Sequence, residues 1–169
     1  MKSARRRSRE FALQALYQWQ LASPSLDAIE KQYAAADGFE RADASLFSVI
    51  VSGVMKHAEV LREQLAPHLD RPWPEVSPIE SAIMLIGAFE LVHAPETPYR
   101  VIINEGIELA KSYGGTDGHK YVNGILDKLA AQVRAEEIAF QSAHPGEAKP
   151  RAARKAPTVV TKTRRTAKP

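Results

Sequence analysis

The stretch from Pro78 to about His93 most constrains what this chain can fold into. At a helical period, Ile83, Met84, Leu85, Ile86, Ala88, Phe89, Leu91 and Val92 cover nearly every side. A helix without a polar face has to be enclosed by other elements. Its start is legible in Ser77-Pro78-Ile79-Glu80, which supplies a hydroxyl cap, a proline in the first turn and a glutamate three residues after the cap.

The neighbours able to enclose it are helices too. Ala12, Ala15, Leu16 and Trp19 form one apolar stripe, and Leu26, Ile29 and Tyr33 another, with Ser23-Pro24 predicted to cap the second helix. Gly38 interrupts. From Asp43, Phe47, Ile50, Val54, Ala58, Leu61 and Leu65 recur at spacings of three and four until Pro67. Asp70-Arg71-Pro72-Trp73-Pro74 has room for a short helical turn at most. A helix from Thr97-Pro98 to Tyr113 stops at Gly114-Gly115, and a last one from Asp117 aligns Val122, Ile125, Leu126, Leu129 and Val133. No strand-like alternation of useful length appears. The predicted class is all-α, with a helical domain over residues 1–140 and a tail over 141–169.

Charge is unevenly distributed. The net +3 divides into five cations and no acid in residues 1–9, ten cations against nineteen acids in 10–140, and eight against one in 141–169. The tail is rich in Ala, Lys, Arg, Pro and Thr, which predicts disorder. It reads either as a non-specific electrostatic contact for nucleic acid or as a solubilising extension. An acidic body with basic ends points to local contacts with a polyanion rather than general coating. The absence of cysteine excludes disulfides and thiolate metal sites. No uninterrupted apolar run reaches the roughly 18 residues of a membrane helix, and the expectation is a soluble, cytoplasmic protein without membrane association.

Catalytic patterns are missing. His57, His68, His93, His119 and His144 show no metal-helix spacing. Gly114–Lys120 lacks the spacing of a phosphate loop and follows a helix, not a strand. Glu136 and Glu137 read as a solvated helix end. No enzyme, cofactor or metal site is expected.

Two surfaces carry a binding signal. On the first helix Arg6, Arg9, Leu13 and Tyr17 make a second stripe, joined by Lys2 if the helix extends that far. Guanidinium groups suit phosphates and a ring suits base stacking; the competing reading is a solvated face with a half-buried tyrosine. On the last helix Asp117, Lys120, Tyr121 and Gly124 share a face beside an N-terminus that attracts anions, with Asp117 the expected N-cap. Arg100, Asn104 and Lys111 form a polar stripe on the preceding helix, and Tyr113 abuts the same loop. In the central helix Glu80 aligns with Met84, Gly87 and Leu91, which reads equally as a dipole-favoured glutamate above a buried row or as a partner face.

Three segments together carry a family resemblance. Arg6-Arg7-Ser8-Arg9-Glu10 with Ala12–Trp19, the run Pro98–Lys111, and Lys120-Tyr121-Val122-Asn123-Gly124-Ile125-Leu126-Asp127-Lys128 resemble, in order, the first and the last two helices of the NusB family. The resemblance spans about residues 1–135. It implies about seven helices in two packed subdomains. It further implies a factor that binds boxA RNA of nascent ribosomal transcripts with NusE (ribosomal protein S-ten) and joins an RNA polymerase antitermination complex. On this basis Arg5, Arg6, Arg7, Arg9, Tyr17, Tyr113, Asp117, Lys120 and Tyr121 match RNA-contacting positions, and Glu80 matches a position at the NusE interface. Tyr121 departs from the phenylalanine expected there, although either ring can stack. Both a monomer and a homodimer fit the family. The alternative is a stand-alone helical protein-interaction module with only non-specific nucleic-acid contact.

Overall fold

A computed structural model describes residues 1–147, and within them every regular element is helical. The seven α-helices are α1 (Ala4–Ala22), α2 (Leu26–Ala34), α3 (Ala44–Leu65), α4 (Pro78–His93), α5 (Tyr99–Tyr113), α6 (Gly118–Val133) and α7 (Ala135–Ala143). Short 3-10 turns at Phe39–Arg41, Ala66–His68 and Trp73–Glu75 fill the connections. Helices α1–α3 form one subdomain and α4–α7 the other, joined through α4, which packs against α1, α3, α5 and α6. The all-α, seven-helix expectation holds.

Capping residues set the boundaries. Ser3 accepts from the Arg6 N–H at 3.2 Å, Asp43 from Leu46 at 3.0 Å, and Ser77 starts α4; such side chains satisfy N–H groups that lack partners in the first turn. Ser23 does not cap α2 as the sequence predicts. It closes α1 in a left-handed conformation (φ 50°), and Ser25 caps α2 by accepting from Ala28 at 3.2 Å.

The enclosure of α4 is nearly complete. Every residue from Ser81 to Leu91 is buried. Two glycines let the neighbouring helices approach. A Cβ at Gly87 would lie 2.7 Å from Leu126 Cδ1, and one at Gly106 would lie 3.0 Å from the same atom. Leu126 of α6 thus sits in a notch shared by α4 and α5.

The last predicted helix is two helices. Arg134 turns the chain between α6 and α7, and its buried guanidinium donates to the carbonyls of Glu90, Leu91, Ala94 and Thr97. These include otherwise unpaired carbonyls at the negative end of α4. Glu137 is buried rather than solvated. One of its carboxylate oxygens holds Arg134 and the other accepts from the Tyr99 N–H at the start of α5. Of the predicted tail, residues up to Ala143 belong to α7, and 148–169 lie outside the described residues.

The segment Ala44–His68 is apolar and long enough to match a bilayer span by composition, against the sequence expectation. Its stripe Phe47, Ile50, Val54, Leu61 and Leu65 is buried, and α3 packs on α1 and α4. This is the one-sided burial of an amphipathic helix packed against a core.

Gly87→Ala is expected to lose about 1–3 kcal/mol in urea unfolding, because the new methyl group meets Leu126 in a filled core. Gly124→Ala, exposed on α6 with open space around it, should instead gain up to about 1 kcal/mol from helix propensity. At the far end of α4, the His93 ring stacks on His57 at 4.6 Å and on Phe89 at 5.1 Å. Partial desolvation where its ring stacks on its neighbours, and secondarily His57, lowers the pKa of the otherwise exposed His93 below its ordinary 6.5. The unfolded chain therefore binds this proton more readily. Stability should fall as pH drops through about 6.5, levelling once the folded pKa is passed, and His93→Gln should flatten that slope in pH-dependent urea titrations.

Candidate nucleic-acid interface

The first-helix stripe does not behave as one solvated row. Arg9 is 2 % exposed, and its Nε and Nη2 donate to the two carboxylate oxygens of Glu90 at 3.0 and 2.9 Å. Leu13 is buried beside it. Arg9 is therefore withdrawn as an RNA-contacting residue. It falls at i, i+3, i+4 and i+7 with Ala12, Leu13 and Leu16, which is the buried register of α1.

The other N-terminal cations divide into two groups. Arg6 donates through Nε and Nη2 to Glu105 of α5, both at 3.1 Å, and Lys2 pairs with Glu10 at 2.7 Å. Hydrogen bonding and charge from these carboxylates raise the pKa of both cations. Lys2 and Arg6 share a small cleft with Glu105, Glu108 and Ser112, one residue before Tyr113. Arg5 is exposed and Arg7 half-buried, and neither forms an ion pair among the described residues. Tyr17 and Tyr113 present exposed rings, each 38 % accessible.

The start of α6 gathers a separate set of residues. Asp117 occupies the N-cap position at φ 61°, yet its carboxylate does not cap; it pairs with Lys120 at 3.2 Å. Lys120 is exposed. Tyr121 is half-buried, and the Arg71 guanidinium lies 4.9 Å from its ring centroid. Glu80 lies against the first residue of α6, where a Cβ on Gly118 would come within 2.3 Å of its Oε1. Glycine here makes room for a carboxylate.

The first turn of α4 links this group to the end of α1. The Gln20 side chain donates to the Pro78 carbonyl at 3.1 Å and accepts from the Ser81 hydroxyl at 3.0 Å. Tyr17, one turn before Gln20, and the start of α6 thus flank the same end of α4. Lys2 and Arg6 adjoin the last turns of α5, which lead through residues 114–117 into α6. Lys111 is exposed there and lies 3.7 Å from Glu108.

Two assignments fall away from this arrangement. Arg100 lies eleven residues before Lys111, about 16 Å along the helix, and is held by Gln141 of α7 and the Tyr99 hydroxyl at 3.1 and 3.2 Å. It belongs to the opposite end of α5. Met84, Gly87 and Leu91 are buried, so the row beneath Glu80 is core and Met84 cannot meet a partner. Glu80 alone of that row keeps partial exposure. Sequence reasoning passed over Asp70 and Arg71, whose only signal was a charged pair beside three prolines. It also passed over Glu90, a lone carboxylate in an otherwise apolar run.

Comparison with known proteins decides the family. The model of the NusB family matches residues 6–131. The chain belongs to the NusB family. It is 56 % identical over 137 residues to the transcription antitermination protein NusB of Nitrosomonas eutropha, covering 81 % of this chain and 82 % of that one. It is 55 % identical over 136 residues to the protein of the same name from Burkholderia lata, covering 80 % and 94 %. A solved structure of T. maritima NusB superimposes with a TM-score of 0.71 at 26 % identity, over 82 % of this chain and 99 % of that one.

The division of the arginines is measurable. Arg9→Ala leaves Glu90 buried without a partner and should cost about 3–5 kcal/mol in urea unfolding. Arg5→Ala, exposed and unpaired, should stay within about 0.5 kcal/mol of the parent.

Proposed function

We propose that the chain is a transcription antitermination factor that binds single-stranded boxA RNA of nascent ribosomal transcripts. It does so jointly with NusE and enters an RNA polymerase antitermination complex in the cytoplasm. Family membership across nearly the whole helical body carries the antitermination part of this reading, since the relatives above are named as transcription antitermination proteins.

The chemistry of the surface agrees with it. Arg5, Arg7 and Lys120 offer charge to phosphates, Lys2 and Arg6 add charge already shared with glutamates, and Lys111 borders the same end of α5. Tyr17 and Tyr113 offer open rings for unstacked bases, with Tyr121 a third ring beside the α6 start. Glu80 and Asp117 set a carboxylate rim next to it. NusE docks at Glu80, and RNA bridges both proteins, so each raises the affinity of the other for RNA. The protein itself performs no chemistry. The reading as a protein-interaction module draws on the prior pairing of Lys2 and Arg6 with glutamates, which leaves fewer free cations than the sequence suggests.

Salt titrations separate the two readings. With boxA RNA and the NusE-bound protein, binding should weaken as salt rises, and Arg5→Ala/Arg7→Ala should lower the slope of log affinity against log salt by about 1.4 for two lost phosphate contacts. An unchanged slope, with equal affinity for a scrambled RNA, would favour the protein-interaction module.

A further inference from the structure

The ring of Tyr121 is already occupied. Arg71 lies with its guanidinium carbon 4.9 Å from the ring centroid, and Asp70 grips the same guanidinium through Nε and Nη2 at 2.8 and 3.1 Å. Stacked layers stand about 3.4 Å apart. A base between the two groups would therefore need about 7 Å, and 4.9 Å leaves space for none. The segment that presents Arg71 has little freedom to shift as a whole. Pro67, Pro72 and Pro74 fix its backbone, and 3-10 turns bound it on both sides. The side chain, however, is 43 % exposed and can swing into solvent.

We propose that Arg71 is a gate on Tyr121, and that Asp70 holds the gate shut in the free protein. An incoming RNA base takes the ring face that Arg71 covers, and the guanidinium leaves it. The gate thereby governs how readily Tyr121 accepts a base. This rests on Tyr121 acting as a stacking platform, as in the proposed function. Arg71 acts through Tyr121, so it is a positioning residue and not itself a phosphate contact. Its charge is already answered by Asp70, with Glu80 near enough to add to the field.

The test uses the full chain and a single-stranded boxA RNA oligonucleotide, in the presence of NusE. Arg71→Lys keeps the charge but loses both the flat plane and the two-pronged grip on Asp70. It should bind RNA about two- to fivefold more tightly, the factor expected of one exposed cation–ring contact. Arg71→Ala should show the same gain most clearly at raised salt, where loss of a single cation matters least. Tyr121→Leu should weaken binding, and adding Arg71→Lys to it should produce no gain. Weaker binding by both Arg71 variants with a reduced salt slope would make Arg71 a phosphate contact and overturn the gate. Unchanged affinity in both, with Tyr121→Leu still weakened, would also overturn it while leaving Tyr121 as a platform. If Tyr121→Leu binds RNA as the parent does, the platform fails and the gate fails with it.

Discussion

Glu90 is where the two halves of the molecule are fastened together. Its carboxylate takes both nitrogens that Arg9 offers from α1, and its carbonyl accepts from Arg134 at the junction of α6 and α7. Removing two ions from water costs several kcal/mol each, and only full pairing in good geometry offsets that cost. Here both carboxylate oxygens and two guanidinium nitrogens are engaged. The pair adds little net energy over an apolar pair of the same shape. What it contributes is a register, because no other residue of α4 could satisfy Arg9 without leaving Glu90 alone.

The register distributes the rest of the N-terminal charge. With Gln20 at the Pro78 carbonyl and Arg9 at Glu90, α1 and α4 run in opposite directions. Helix α4 ends three residues beyond Glu90, so Arg5, one turn before Arg9 on the same stripe, has nothing over it and stays exposed. Arg6 turns to Glu105 of α5 instead. One short basic run therefore yields a core residue, a tether between helices and freely presented charge. Counting its cations overstates the number available to RNA.

Much of the fold was legible because burial in an all-helical protein writes itself at a single period. The apolar α4, the α3 stripe and the cap at Ser77 are all where the sequence put them. What misled was polarity taken as exposure. Arg9 sat in the apolar register of Ala12, Leu13 and Leu16, and Glu90 stood alone among apolar residues; each is unexplained until the two are brought together across 81 positions. Arg134 and Glu137 followed the same rule at the same, C-terminal end of α4. Ser23 and Ser25 differ by two positions and both can cap, so only the path of the chain chooses between them. Of the site, Tyr17 and Lys120 are exposed and Glu80, which the sequence left open, is half-buried, whereas Met84 was lost to the core. The cover over Tyr121 came from a loop with no periodic signal.

The central claim is that burial sorts the arginines of α1 into those that hold the fold and those left to meet RNA. Side-chain Nε–H resonances of arginine, followed by NMR while single-stranded RNA is added, read this division directly. The Arg5 and Arg7 signals should move as RNA binds, while that of Arg9 keeps its position and exchanges slowly with solvent throughout. A saturating shift at Arg9, with Arg5 and Arg7 unmoved, would contradict the account.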